Sequence, residues 1–362
     1  MWRFMLTIDR YLTARSLRAI ALVAAGLTSM MLLFALFDEL AEGAERYGLD
    51  DALNYLWRTL PRRLDDLLLY SVFIGYLAAL GQLAEQGELT ALRAAGTSPA
   101  RLIAGLIPSL LLCLGVSFTL SEYLAPKAEQ AAEVAKLNAQ YGRDAMQRKG
   151  GFWIRDDRLY MHIQTMTEDN GGTLWGVRQY WLDPNQKLGR SLVAESANFD
   201  ANKQQWVLHN VSEAVVSAEA TTVNNFAQSV WANAMTPQLL SNQAFLEPKK
   251  MSLLGLLDQI NFLQQQHLQA TQYQLAMWSR ILKPLSYFGM ALLALAIVLG
   301  PMRGTGLGPR LALGMLVGLI FKYLQDLFAP MAVVFALPAA LAVAVPICAY
   351  AVCGWLLIRR YA

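Results

Sequence analysis

Charge is what this sequence has least of. Only 16% of its 362 residues are Asp, Glu, Lys or Arg, against roughly 25% in ordinary soluble domains. The net charge of +3 offers no basic field for nucleic acid, and none is expected as a partner. Cysteine is scarce too: Cys113, Cys348 and Cys353 all fall inside apolar runs. No pair sits in a polar segment where a disulfide or zinc site could form, so the thiols read as packing residues. No G-x-x-x-x-G-K-[ST] segment occurs, so nothing in the chain could cradle the phosphates of ATP. No Ser/His/Asp constellation is visible, and His162 and His209 stand isolated. No cofactor, resident metal or catalytic residue is expected.

Apolar residues are what the chain has in excess, at 55%. They concentrate in two blocks around a polar middle. A hydrocarbon core of about 30 Å takes about 20 apolar helical residues to cross. On that measure the sequence predicts six spans, near residues 19–37, 64–83, 102–125, 275–300, 311–328 and 332–358. Pro108 is expected to kink the third, while Pro338 and Pro346 fall in the sixth. The first run is too long for a cleavable signal peptide and no small-residue site closes it, so it reads as a retained helix. Arg3, Arg10, Arg15 and Arg18 precede span one; Arg93 and Arg101 follow span two; Arg303 and Arg310 follow span four; Arg359 and Arg360 follow span six. With six crossings all lie on one side, which the positive-inside rule makes the cytoplasm. Both termini are then cytoplasmic, and the middle segment lies on the far side.

That middle segment predicts an all-β domain, a sandwich or open barrel. Short stretches at 152–154, 159–163, 174–182, 205–208, 214–217 and 229–231 are separated by turn sequences such as Glu168-Asp169-Asn170-Gly171-Gly172 and Asp183-Pro184-Asn185. Its tryptophans, Trp153, Trp175, Trp181, Trp206 and Trp231, read as core. Residues 130–140 continue span three as helix, and a second helix starting near Ser252 leads back to span four. The domain plan is therefore 1–125 (helices one to three, with a loop helix about 85–98), 126–273 (β-domain with flanking helices) and 274–362 (helices four to six).

Two features carry chemistry. In the loop after span two, Glu85, Glu88, Leu89, Leu92 and Arg93 fit one short amphipathic helix closed by Gly96 and Pro99. It suits a handle for a motor protein, and equally an ordinary solvated loop. In span five, Lys322 lies about 12 Å along the helix from Pro330. An intramembrane charge costs at least about 2.5 kcal/mol and usually faces a cavity or a partner. Asp326, one turn on, is its expected partner. Substrate contact and a self-compensating pair that snorkels to the interface both remain open.

Motifs along almost the whole chain resemble the LptF/LptG family of permease subunits of the bacterial lipopolysaccharide export system, the LptG branch more than the LptF branch. They are Asp9-Arg10-Tyr11; Leu83-Ala84, Glu88-Leu89 and Ala95-Gly96; Glu122 with Ala125-Pro126; Tyr141-Gly142; Met277-Trp278-Ser279 with Pro284-Leu285-Ser286; and Gly300-Pro301 with Arg303. The resemblance implies six transmembrane helices in a three-plus-three layout with an inserted periplasmic β-jellyroll, in the inner membrane. It implies an LptF-like paralogous subunit, an LptB-like ATPase dimer that receives the Glu88 helix, an LptC-like single-span protein and an LptA-like periplasmic bridge. Lipopolysaccharide would be drawn from the outer leaflet and passed to the jellyroll relay. Its phosphates require cations, for which Lys322, Arg62, Arg63 and Lys136 are candidates; Arg62 and Lys136 match basic positions of the family. One departure stands out: where LptG proteins carry lysines near the outer end of span one, this chain has Phe34, Ala35, Asp38, Glu39 and Glu42. Competing readings are an LptF-type subunit, a lipoprotein-release-type permease with about four spans, and a membrane-bound hydrolase.

Overall fold

Backbone groups without water must satisfy one another, and the apolar blocks of this chain do so as helices. The computed structural model describes residues 2–42, 47–141, 152–156, 158–167, 172–184, 187–201, 203, 205–216, 220–231, 236–237, 240, 247–265, 269–300, 306–335 and 337–361. Gly142, Glu168 to Gly171, Asn185, Pro301 and Arg303 lie outside the described residues. The helices are α1 (Trp2–Glu42), α2 (Leu49–Glu85), α3 (Glu88–Ala94), α4 (Pro99–Thr119), α5 (Ala125–Tyr141), α6 (Leu253–Gln265), α7 (Thr271–Ile281), α8 (Lys283–Leu299), α9 (Leu307–Val334) and α10 (Ala339–Tyr361). A π-helical turn, Leu120–Leu124, joins α4 to α5.

The chain divides into two units. The first comprises Met1–Asp38, Leu56–Glu129 and Thr271–Ala362; the second comprises Glu39–Tyr55 and Gln130–Ala270. In the first, five helices are long and apolar enough to cross a membrane, and α7 with α8 makes a sixth if the pair is one span bent by 52°. The fourth predicted span is thus broken near its start, at Leu282. Pro284 has no N–H for the carbonyl of Arg280, so the ladder fails there and the axis turns. Ala332, expected to open span six, belongs to α9; Pro338 precedes α10, and only Pro346 lies within it.

Helix α8 is the centre of this unit. Tyr287, Met290 and every residue from Leu293 to Leu299 are buried. Close approach explains why: a Cβ on Gly354 of α10 would stand 3.0 Å from the Leu293 nitrogen, so only glycine lets the two backbones meet. Around α8 pack Val72, Phe73, Tyr76, Leu77 and Leu80 of α2, and Leu102, Leu106 and Leu110 of α4. Arg310, expected in a loop, is instead buried in the first turn of α9, where it donates to the Gly81 carbonyl at 2.7 Å. Helix α1 is the least embedded: 11% of its most apolar stretch is buried, against 61% for α2.

The second unit holds one antiparallel sheet with strands in chain order: β1 (Phe152–Asp156), β2 (Leu159–Thr167), β3 (Thr173–Leu182), β4 (Leu188–Asp200), β5 (Gln205–Val216) and β6 (Thr221–Trp231). It is the β-domain inserted between the helical blocks. Three strands differ from expectation, β6 by starting at Thr221 where only 229–231 was predicted. Strand β4 falls where none was predicted, and β5 unites the 205–208 and 214–217 stretches. Both follow from a crease across the sheet. Buried positions run Leu174, Val177 in β3, Ala194, Ala197 in β4 and Leu208, Val211 in β5, each skipping a beat. The skipped residues are Gly176, Glu195 and Asn210, which the register sets in one row. Gly176 and Asn210 take positive φ, 63° and 51°, and that reverses the face without ending the strand. Asn210 Nδ2 donates to Glu195 Oε2 at 2.6 Å along the row. A period-two reading cannot see through such a reversal. The tryptophans divide accordingly: Trp206 and Trp231 are buried and stacked, whereas Trp153 and Trp175, expected in the core, are exposed.

Candidate functional site

The short loop helix forms, but over fewer residues than expected. Gly87 (φ 77°) and Gly96 (φ 88°) bound α3, and Ser98 caps α4 by accepting from the Arg101 N–H. Glu85 closes α2 rather than opening α3. Leu89 is buried and Leu92 packs on the same core, so the apolar edge of α3 anchors it to the helical unit. Glu88 and Arg93 remain part-exposed. The Glu88 carboxylate accepts from Tyr11 Oη at 2.7 Å, with Arg15 at 3.9 Å. The Asp9-Arg10-Tyr11 and Glu88-Leu89 motifs, 77 residues apart at their Tyr11–Glu88 contact, therefore meet.

Midway along α2 and at the far end of α4 lies a second cluster, built mostly from ionisable residues inside predicted spans. Ala125 N bonds the Leu120 carbonyl across the π turn, and Pro126 has no N–H, so neither bonds the Ser121 carbonyl. Arg280 satisfies it: Nη1 donates to Ser121 O at 3.0 Å and to Glu122 Oε1 at 2.5 Å. Just past the break in α7–α8, Lys283 Nζ donates to Asp65 Oδ1 and Oδ2 at 2.6 and 2.7 Å, and Ser117 Oγ donates to Asp65 Oδ1 at 2.6 Å. Arg62 pairs with Asp66 at 3.4 Å. Three cations meet three carboxylates, so the cluster is neutral and reads as a joint holding α2, α4 and the broken helix together. Arg280 and Lys283 were absent from the sequence candidates; their signal was two cations within one apolar stretch.

The remaining candidates have separate surroundings. Arg63 Nε donates to Thr59 Oγ1 at 3.1 Å, and among the described residues it has no carboxylate partner. Lys322 and Asp326 do pair, at 2.6 Å, both about half exposed. Because α9 runs on through Pro330 to Val334, Lys322 lies about 18 Å from the helix end, deeper than a stop at Pro330 implies. In the second unit Lys136 Nζ contacts Glu39 Oε1 at 2.6 Å and lies over the Tyr55 ring. Tyr47 donates to the same Glu39 oxygen at 2.9 Å. Burial, then that hydrogen bond, holds the Tyr47 phenol well above its ordinary value, so it stays a donor. The acidic end of α1 thus neutralises Lys136.

Among the described residues no three His, Cys, Asp or Glu gather as a metal site. The family model "Lipopolysaccharide export system permease LptF/LptG" matches residues 10–360. The "Lipopolysaccharide export system permease protein LptG" of Escherichia coli (strain K12) is 27% identical over 358 residues, 98% of each chain. Its namesake from Haemophilus influenzae is 25% identical over 357 residues, again 98% of each. Matched over nearly its whole length, this chain belongs to the LptF/LptG family of lipopolysaccharide export system permeases.

Proposed function

We propose that this chain is the LptG-type permease subunit of an exporter that draws lipopolysaccharide from the outer leaflet of the inner membrane. The lipid passes to the inserted β-domain and on to LptC-like and LptA-like proteins. An LptF-like subunit completes the cavity, and an LptB-like ATPase dimer supplies the energy through α3. The observation that carries this reading is the family match across residues 10–360. Six spans rather than about four argue against the lipoprotein-release type, and both relatives above carry the LptG name.

Physical chemistry supports the division of roles. A phosphorylated, multi-chain lipid needs an apolar wall and cations at headgroup depth. On α1 and α9, Phe34, Phe37, Leu316, Ile320 and Leu327 are exposed apolar side chains. Of the four candidate cations, Arg63 is the one that, among the described residues, a phosphate reaches without displacing a carboxylate. Lys322 comes next, since an exposed pair of the Lys322–Asp326 kind is worth only about 0–1 kcal/mol. Arg62 and Lys136 must first release Asp66 and Glu39. Glu88 and Arg93 form the polar edge that α3 presents to the motor, while Glu85 flanks it.

Purification with the neighbouring subunits, reconstitution in vesicles and photo-crosslinking of lipopolysaccharide test the reading. ATP-dependent release is expected only with an ATPase dimer and a second six-span subunit. Release by the isolated chain would overturn it, as would thiol labelling that places the sheet in the cytoplasm.

A further inference from the structure

The N-terminal motif of α1 finds no use in lipid binding, yet it makes the most specific polar contacts of the loop. Asp9 Oδ2 accepts from Arg101 Nη2 at 2.7 Å, in the first turn of α4. Tyr11 Oη donates to Glu88 Oε2 at 2.7 Å, at the start of α3. Arg15 Nη1 donates to Gln86 Oε1 at 2.9 Å, just beyond α2, while its guanidinium lies over the Tyr11 ring. Between these bonds Leu12 is buried, and a Cβ on Gly105 would stand 2.8 Å from Leu12 Cδ1. Residues 9, 12 and 16 share one face of α1, and 11 and 15 the adjoining column. One helix turn or two thus grips the loop both before and after α3.

We propose that Asp9, Tyr11 and Arg15 are positioning residues that make α1 and the loop helix a single mechanical piece. The inference rests on the reading of Glu88 as facing the motor. A carboxylate has about four acceptor sites, and Tyr11 with Arg15 uses only part of them. They therefore orient the Glu88 carboxylate for an incoming cation without consuming it. A push on α3 reaches α1 through the Tyr11–Glu88 bond, while the Arg15–Gln86 and Asp9–Arg101 bonds hold the segments on either side of α3. Helix α1 is the long helix with least packing elsewhere, so it follows.

The test uses the whole complex in vesicles with its ATPase. Tyr11→Phe combined with Arg15→Gln is expected to leave ATP hydrolysis and co-purification unchanged while lipid release falls at least about ten-fold, the size that loss of either charge-assisted hydrogen bond sets. Asp9→Arg and Arg101→Asp should each impair coupling, and the double swap should restore it. A purely structural role would lower melting temperature and complex yield together with release. Normal release by the Tyr11/Arg15 variant, or no rescue by the swap, overturns the proposal. Glu88→Lys separates the two readings: if it uncouples while the Tyr11/Arg15 variant does not, only the latch fails. If Glu88→Lys transports normally, the motor-facing role fails and the latch with it.

Discussion

Two polar clusters tie distant helices of the same unit together, and they do so by opposite means. Around Asp65 and Glu122 the charges are part-buried and matched, and Arg280 also answers the backbone defect that Pro126 imposes. Around Glu88 the partners are more exposed, and hydroxyl and amide groups share the work with charge. A buried ion pair is costly to form and costlier to half-remove, so it suits a joint. An exposed hydrogen bond to a carboxylate can be traded for another partner at little cost, which suits a contact that must be made and broken.

The contrast is easiest to break at Asp65. Asp65→Leu leaves the Lys283 ammonium and the Ser117 hydroxyl without their acceptor, a loss of about 3–5 kcal/mol for a half-removed buried pair. A large drop in the detergent melting temperature is expected, while Glu88→Gln leaves it within about 0.5 kcal/mol of the parent. Equal drops for both would erase the distinction. Gly75→Leu comes next. Its Cβ would stand 2.7 Å from Ile20 Cα and 2.9 Å from Ile20 N, backbone atoms that cannot yield locally. Overpacking of about 1–3 kcal/mol should follow, read as lower stability together with a looser α1–α2 crosslink.

A smaller effect sharpens the origin of the joint. Pro126→Ala returns an N–H able to reach the Ser121 or Glu122 carbonyl, so Arg280 gains a competitor at the carbonyl it satisfies. In a double-mutant cycle, Arg280→Ala should cost about 1 kcal/mol less in the Pro126→Ala background. Strict additivity would refute the proline origin. Smallest of all is Lys322→Ala. Its half-exposed pair contributes about 0–1 kcal/mol, so the melting temperature should hold while crosslinked lipopolysaccharide declines. Unchanged crosslinking removes Lys322 from the substrate path.

Five spans, and a sixth if α7 and α8 are one bent crossing, were readable because bilayer thickness dictates how long an apolar helix must be. The loop helix was readable from Glu88, Leu89, Leu92 and the glycines that bound it. Strand β4 was not: its buried positions, Leu192, Ala194 and Ala197, include two alanines and change phase at Glu195. The roles of the ionic residues were the least legible. Lys283 and Asp65 lie 218 residues apart, and Arg280 and Glu122 158 apart. Each charge stood out in an apolar stretch, but nothing local named its partner. Exposed Trp153 and Trp175 show the same limit, since an aromatic strand residue suits either face of a sheet until the register is known.

By itself the sequence determined residence in a membrane and a β-rich insertion. Those follow from summed hydropathy and strand periodicity, properties that are local or additive along the chain. Only the tertiary structure decided that Tyr11 meets Glu88, that Arg280 takes the Ser121 carbonyl and that Glu39 neutralises Lys136. Such choices depend on which helices lie side by side, because a charge in a low-dielectric surrounding is stabilised only by the groups within a few ångströms of it.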